Sequence, residues 1–159
     1  MRRLCVSFVS LIFAASASAE LGLQPALQTC GVLKDTKLNS RGLITAADGD
    51  QTCMSQVRSI SPSAKSTLSF GVERRDEVAR KATLTLRIQP GEDEEAKREL
   101  IKAGQRLSVR TLGSSMPHSV HQSITSGSPS KTAAGSGFIT VTKTKSPDNV
   151  GYMMVLVME

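Results

Sequence analysis

His118 and His121 stand three residues apart, a spacing that puts two imidazoles on one face of a helix and could begin a metal site. Such a site needs three or four ligands, and no cysteine or carboxylate follows at ligand spacing. Ser114 and Ser115 lie just upstream, so hydroxyls and imidazoles are close in sequence. G-x-S-x-G is missing, however, and both histidines fall on one short segment, which is not how serine hydrolases distribute their catalytic residues.

Other partial motifs fail on context. Ser128-Pro129-Ser130-Lys131 has S-x-x-K spacing, in which the serine is the nucleophile and the lysine helps remove its proton. That chemistry needs a rigid helix start together with S-D-N and K-T-G, and here a proline sits inside the motif and both companions are missing. Residues 127–132 end in Lys-Thr, but Ser130 stands where a phosphate loop needs glycine. Gly135-Ser136-Gly137 lacks the third glycine of a dinucleotide fingerprint, and a strand pattern follows it. Asp48-Gly49-Asp50 reads as a turn, without the closing glutamate of a calcium loop. The sequence therefore spells out no catalytic residue, no metal site and no cofactor.

Arg74, Arg75, Arg80 and Lys81 gather around one charged connection, interrupted by Asp76 and Glu77. A cationic cluster in a chain of formal net charge +6 attracts anionic partners. Nucleic acid is a poor match, because only four Phe, one Tyr and no Trp are present to stack on bases. An anionic envelope component or an acidic protein fits better.

The envelope enters through the first nineteen residues. Arg2 and Arg3 precede an apolar run of about a dozen residues, and Ala17-Ser18-Ala19 has the small-x-small cleavage pattern. The run is too short to span a bilayer, and no second one follows. Residues 1–19 thus read as a signal peptide for a periplasmic or extracellular protein. Cleavage before Glu20 removes Arg2, Arg3 and Cys5, leaving 140 residues, two cysteines and a formal charge of +4. In an oxidising compartment Cys30 and Cys53 are expected to pair. The loop they close is poor in apolar residues and would not offset its own ordering entropy without the crosslink.

The elements that position these groups follow from hydrophobic period. Residues 23–34 carry Leu23, Leu27, Cys30 and Leu33 at helical spacing. Residues 35–52 read as loop, and 53–60 suit either a strand or a helical turn. Leu68, Phe70 and Val72 alternate with polar neighbours, as do Ala82, Leu84, Leu86 and Ile88, giving two half-buried strands across a charged connection. Residues 92–109 form the clearest helix. Four carboxylates open it, and Ala96, Leu100, Ala103 and Leu107 make one apolar stripe. Pro117 opens a shorter helix bearing Val120 and Ile124. Residues 128–137 read as a mobile loop. Residues 138–144 alternate, with Thr140, Thr142 and Thr144 outward. Residues 152–158 are apolar throughout and predict a strand that is central or covered on both faces.

These elements define an α+β, two-layer sandwich of order α-ββ-αα-ββ, with about four mainly antiparallel strands and helices on one face. One domain spans 20–159: a disulfide-stapled segment, 20–60, packs on a core of 61–159. The functional expectation is an exported, non-enzymatic binding module. It would use the Thr-rich sheet face (Thr83, Thr85, Thr140, Thr142, Thr144), an unpaired strand edge, or the basic connection. The alternative is a small envelope enzyme or ligand-binding protein with a site between helix pair and sheet, built on His118, His121 and Ser114 or Ser115.

Overall fold

A computed structural model describes residues 21–38, 40–45, 50–75 and 77–159, with backbone alone at 41 and 43. The signal-peptide reading of residues 1–19, the turn residues Asp48 and Gly49, and Asp76 lie outside the described residues.

The described chain begins with short helical turns: a 3-10 turn at Leu21–Leu23, α1 at Ala26–Cys30, and a second 3-10 turn at Lys34–Thr36. Strands β1 (Ser40–Thr45), β2 (Gln51–Ser55), β3 (Arg58–Ser59), β4 (Thr67–Arg75) and β5 (Val78–Ile88) follow. Helices α2 (Asp93–Leu112) and α3 (His118–Ser126) lead to β6 (Ser130–Ala134), β7 (Gly137–Lys145) and β8 (Tyr152–Met158). The sheet runs β1-β2-β4-β5-β8-β7-β6, antiparallel at every pairing, with β3 alongside β4 in line with β2.

The fold is α+β around a large antiparallel sheet of eight strands, twice the number expected. The additions come from residues 35–52 and 128–137, read as loop, and from residues 53–60, read as either a strand or a helical turn. Residues 40–45 and 51–55 pair with each other and then with β4. Residues 130–134, in the segment read as mobile, pair along β7 from Ser130↔Val141 to Ala134↔Gly137. Serine, alanine and glycine carry little strand propensity, so pairing with β7 and packing beneath α3 impose the conformation. The expected N-terminal helix also shortens to five residues, between two 3-10 turns.

One core forms against one face of the sheet. Leu68, Phe70 and Val72 of β4, Leu84 and Leu86 of β5, Leu156 of β8 and Ile139 of β7 all point into it. Ala96, Leu100, Ala103 and Leu107 of α2, and Val120 and Ile124 of α3, cover them as the stripes predict. Gly104 lets α2 lie close on β8: a Cβ there would stand 2.6 Å from Leu156 Cδ2. At the base of β4 and β5, Glu92 accepts the N–H groups of Lys65 (3.0 Å) and Ser66 (2.7 Å). Hydrogen bonds from Ser66 and Lys65 hold the Glu92 carboxyl below its ordinary range.

The N-terminal segment is fastened to this core at several points. Cys30 of α1 and Cys53 of β2 form the expected disulfide, with Cα atoms 6.0 Å apart. Leu33 and Leu38 are fully buried in the common core. Arg110 of α2 forks onto the Asp35 carboxylate (2.8 and 3.0 Å) and also donates to the Val32 carbonyl. The Arg110 hydrogen bond is the main cause that lowers the pKa of Asp35. Among the described residues, no helix is long and apolar enough to cross a membrane.

Candidate functional site

The residues singled out for chemistry are not assembled. His118 is exposed and His121 half-buried, with ring centroids 6.5 Å apart. No His, Cys, Asp or Glu completes a group of three with them among the described residues. Ser114 Oγ is buried without a hydrogen-bond partner there, and so is His121 Nε2, but the two are not joined. In the S-x-x-K segment, Ser128 bonds to Ser126 (3.0 Å), whereas Lys131 turns to Glu159 (2.9 Å) and the Phe138 ring. Gly135 and Ser136 are the tight β6–β7 turn. A Cβ at Gly135 would sit 1.8 Å from the Leu112 carbonyl oxygen, and φ is +55°, so glycine serves packing there.

The four cations of the β4–β5 connection are divided among different surroundings. Lys81 donates to both carboxylate oxygens of Glu73 at 3.1 Å. Arg74, Arg75 and Arg80 make no ion pair among the described residues. A register shift between Glu73 and Arg74 interrupts the alternation of the strands at this end. Arg80 lines a hollow of about 200 Å³ with Leu21, Leu112, Ser136 and Glu159. The hairpin end is itself pinned: Ala26 N–H donates to Glu77 O (3.0 Å) and Ala79 N–H to Gln24 O (3.2 Å).

A polar cluster that sequence reasoning missed closes the opposite end of the core. Tyr152 donates to Asp93 Oδ1 at 2.5 Å, and Lys143 Nζ stands 4.1 Å from the Tyr152 ring centroid. Lys97 reaches past Asp93 (3.9 Å) to donate to the Thr125 carbonyl near the end of α3 (2.9 Å). The Asp93–Lys97 spacing was legible as an i,i+4 pair. Its use to tie α2, α3 and β8 together was not, because that depends on long-range placement. Burial, reinforced by the Asp93 carboxylate, raises the Tyr152 pKa well above its ordinary value of 10.0. The cluster fastens three elements of the fold.

The surface with the properties of a binding site is the face of the sheet opposite the core. The register aligns Met54, Gly71, Thr83, Val157 and Thr140 across five strands, and Ser69, Thr85, Val155 and Thr142 across four. None of these side chains is buried, so no described element covers them. The Thr stripes of β5 and β7 are the ones expected outward. Between them lies β8, expected to be central or covered on both faces. It is central, as predicted, but covered on one face alone, so Met153, Val155 and Val157 form an apolar stripe between two rows of threonine. Ile44 and Met54 extend the apolar surface toward β1, at 59% and 51% exposure. Gly71 contributes no side chain, and the gap is a hollow of about 170 Å³ lined by Thr52, Met54, Ser69, Thr83 and Thr85.

The edges of the sheet are less receptive. β6 has five residues, follows directly on Pro129, and carries Lys131. β1 is irregular in register between Ser40 and Leu43, where Gly42 takes φ +102°. Both are devices that discourage strand addition, so the face is the better dock. The chain matches no family model, no curated protein and no solved structure, so the face is read from its own chemistry.

Proposed function

We propose that this chain is a small exported, non-enzymatic binding module that docks a protein partner against the open face of its sheet. The observation that carries the reading is the apolar stripe of Met153, Val155 and Val157 along the central strand of that face. A solvated sheet face normally alternates to polar residues, and contiguous exposed apolar surface marks an interaction site. The Thr rows on either side supply hydrogen-bonding groups without charge. Export rests on the leader pattern of residues 1–19, with which the Cys30–Cys53 disulfide is compatible.

The test is crosslinking affinity capture of the tagged chain from the envelope fraction of its own host, compared with Val155→Lys. A partner held in stoichiometric amount by the first and lost by the second is the expected result. Identical capture by both removes the face from the function. N-terminal sequencing of the accumulated chain checks export, and it should begin at Glu20.

A further inference from the structure

We propose that the Cys30–Cys53 disulfide is a redox-sensitive latch. Closed, it holds β1 and β2 on the edge of β4; reduced, it lets that strand pair lift away while the rest of the fold stays closed. The latch acts whatever the open face receives.

The strand pair is thinly attached. Among the described side chains of β1 none is buried, and β2 buries Cys53 and Ser55 alone. Ser55 Oγ accepts the Phe70 N–H at 2.9 Å. The chain on either side is anchored without the disulfide. Upstream, Leu33 and Leu38 are buried in the core and Arg110 grips Asp35. Downstream, Arg58 reaches Glu99 of α2 at 3.3 Å, and Ile60 is buried and donates its N–H to the Ser66 carbonyl (3.1 Å). Residues 40–55 are therefore a flap with fixed ends, and the bridge ties down its middle. A two-stranded hairpin has little stability of its own. Closure of the flap depends on the bridge and on the ladder to β4, from Gln51↔Arg74 to Met54↔Gly71. Cutting the bridge returns the loop entropy that the crosslink removes, which favours the open flap by on the order of a hundredfold. β4, β5, β8 and β7 keep the core beneath α2 and α3, so they do not follow.

The bridge lies within reach of a reductant. Cys30 lines an open hollow of about 430 Å³ with Leu27, Gly31, Lys34, Ser40 and Gly42. Lys34 is exposed there and makes no ion pair among the described residues, so its charge favours an approaching thiolate. The reductant is a dithiol. Its thiolate attacks the Cys30 sulfur, the bridge breaks, and Cys53 leaves as a thiolate that takes up a proton. The second thiol of the reductant then displaces the mixed disulfide. Cys30 is released as a thiol, and the reductant departs as a disulfide, two electrons poorer. Opening bares the β4 edge from Gly71 to Arg74. It also removes Ile44 and Met54 from the open face and leaves Met153, Val155 and Val157 in place.

Amide hydrogen exchange read by peptide mass tests this. The wild type is compared with and without dithiothreitol, and Cys30→Ser/Cys53→Ser is followed without it. Reduction should speed exchange at residues 43–45 and 51–55 by on the order of a hundredfold. In the reduced chain these residues should exchange well ahead of 84–88 and 153–157. The double variant should match the reduced wild type, which assigns the effect to the bridge and not to the reagent. Unchanged exchange at 43–45 and 51–55 on reduction overturns the proposal. So do equal rates in the two sets of the reduced chain, because the bridge then holds the whole fold. A bridge that dithiothreitol cuts only in denaturant overturns it as well.

Discussion

Leu156 and Val155 are adjacent on β8 and chemically alike, but Leu156 has no exposed surface beneath α2 while Val155 looks out of the opposite face. The same contrast runs across the sheet. Phe70 and Leu84 face the helices, and their neighbours Gly71 and Thr83 face away. On the inner face a side chain meets a fixed helix stripe, so its volume is specified to within a methyl group. On the outer face nothing in the described chain fixes volume, and what is specified is polarity: threonine on β5 and β7, valine and methionine on β8. An apolar strand thus shows where surface favours being covered, without saying whether its own chain or another molecule covers it.

The contrast can be broken most directly with one substitution on each face. Leu156→Ala should cost about 2–5 kcal/mol, because it removes contacts that the packed helices cannot replace. Val155→Ala should cost the monomer less than about 1 kcal/mol, since its surface is already partly hydrated. Urea unfolding at low protein concentration measures both, and equal losses would mean that the outer face is covered.

Next in size is the disulfide, which holds β2 and α1 to the inner side. Replacing Cys30 and Cys53 by serine should lower stability by about 3 kcal/mol through the freed loop. Denaturant midpoints in oxidising and reducing conditions should converge for that variant and differ for the wild type.

A pair of glycines sharpens the comparison at smaller scale. Gly104→Ala drives a methyl to within 2.6 Å of Leu156 Cδ2. The overpacking should exceed what alanine adds to helix propensity, for a net loss of about 1 kcal/mol. Gly71→Ala meets only ordinary contacts, the nearest being the Cys53 carbonyl at 3.5 Å, and should gain about 0.5 kcal/mol. Melting temperatures that move in opposite directions are the expected readout.

The smallest effect is at high pH. Burial, and then Asp93, favours the neutral phenol of Tyr152, so the folded pKa lies above the unfolded value near 10. The stability this lends is complete below pH 10 and is lost as pH rises through the folded pKa. With one tyrosine and no tryptophan, phenolate absorbance reports this group alone. It should lag the titration of free tyrosine, and Asp93→Asn should reduce the lag.

Much of the inner face was legible in the sequence. The alternation at residues 68–72 and 82–88 marked β4 and β5, and the stripe Ala96, Leu100, Ala103, Leu107 marked the buried side of α2. These are local patterns of period 2.0 and 3.6. Residues 130–134 carry no such pattern, and their strand exists because β7 offers a ladder and α3 a cover. β1 was hidden likewise, and β2 was legible only as a strand or a helical turn: Ile44 and Met54 are apolar but exposed, so the alternation that signals a core is missing. The outward threonines of the candidate face were visible. Its apolar centre was not, because residues 152–158 alone do not tell a doubly covered strand from one open on a side.

The position of β8 also bears on how the chain is made. Among the described strands, the β4–β5 and β6–β7 ladders are joined in the sheet by β8, which pairs with β5 on one side and β7 on the other. Until residues 152–158 emerge, β5 and β7 each present a bare edge, and α2 has no Leu156 to rest on. Loss of residues 152–158 would therefore leave two ladders without a shared strand, linked through α2 and α3. On the ribosome, the sheet can close once residues 152–158 have emerged.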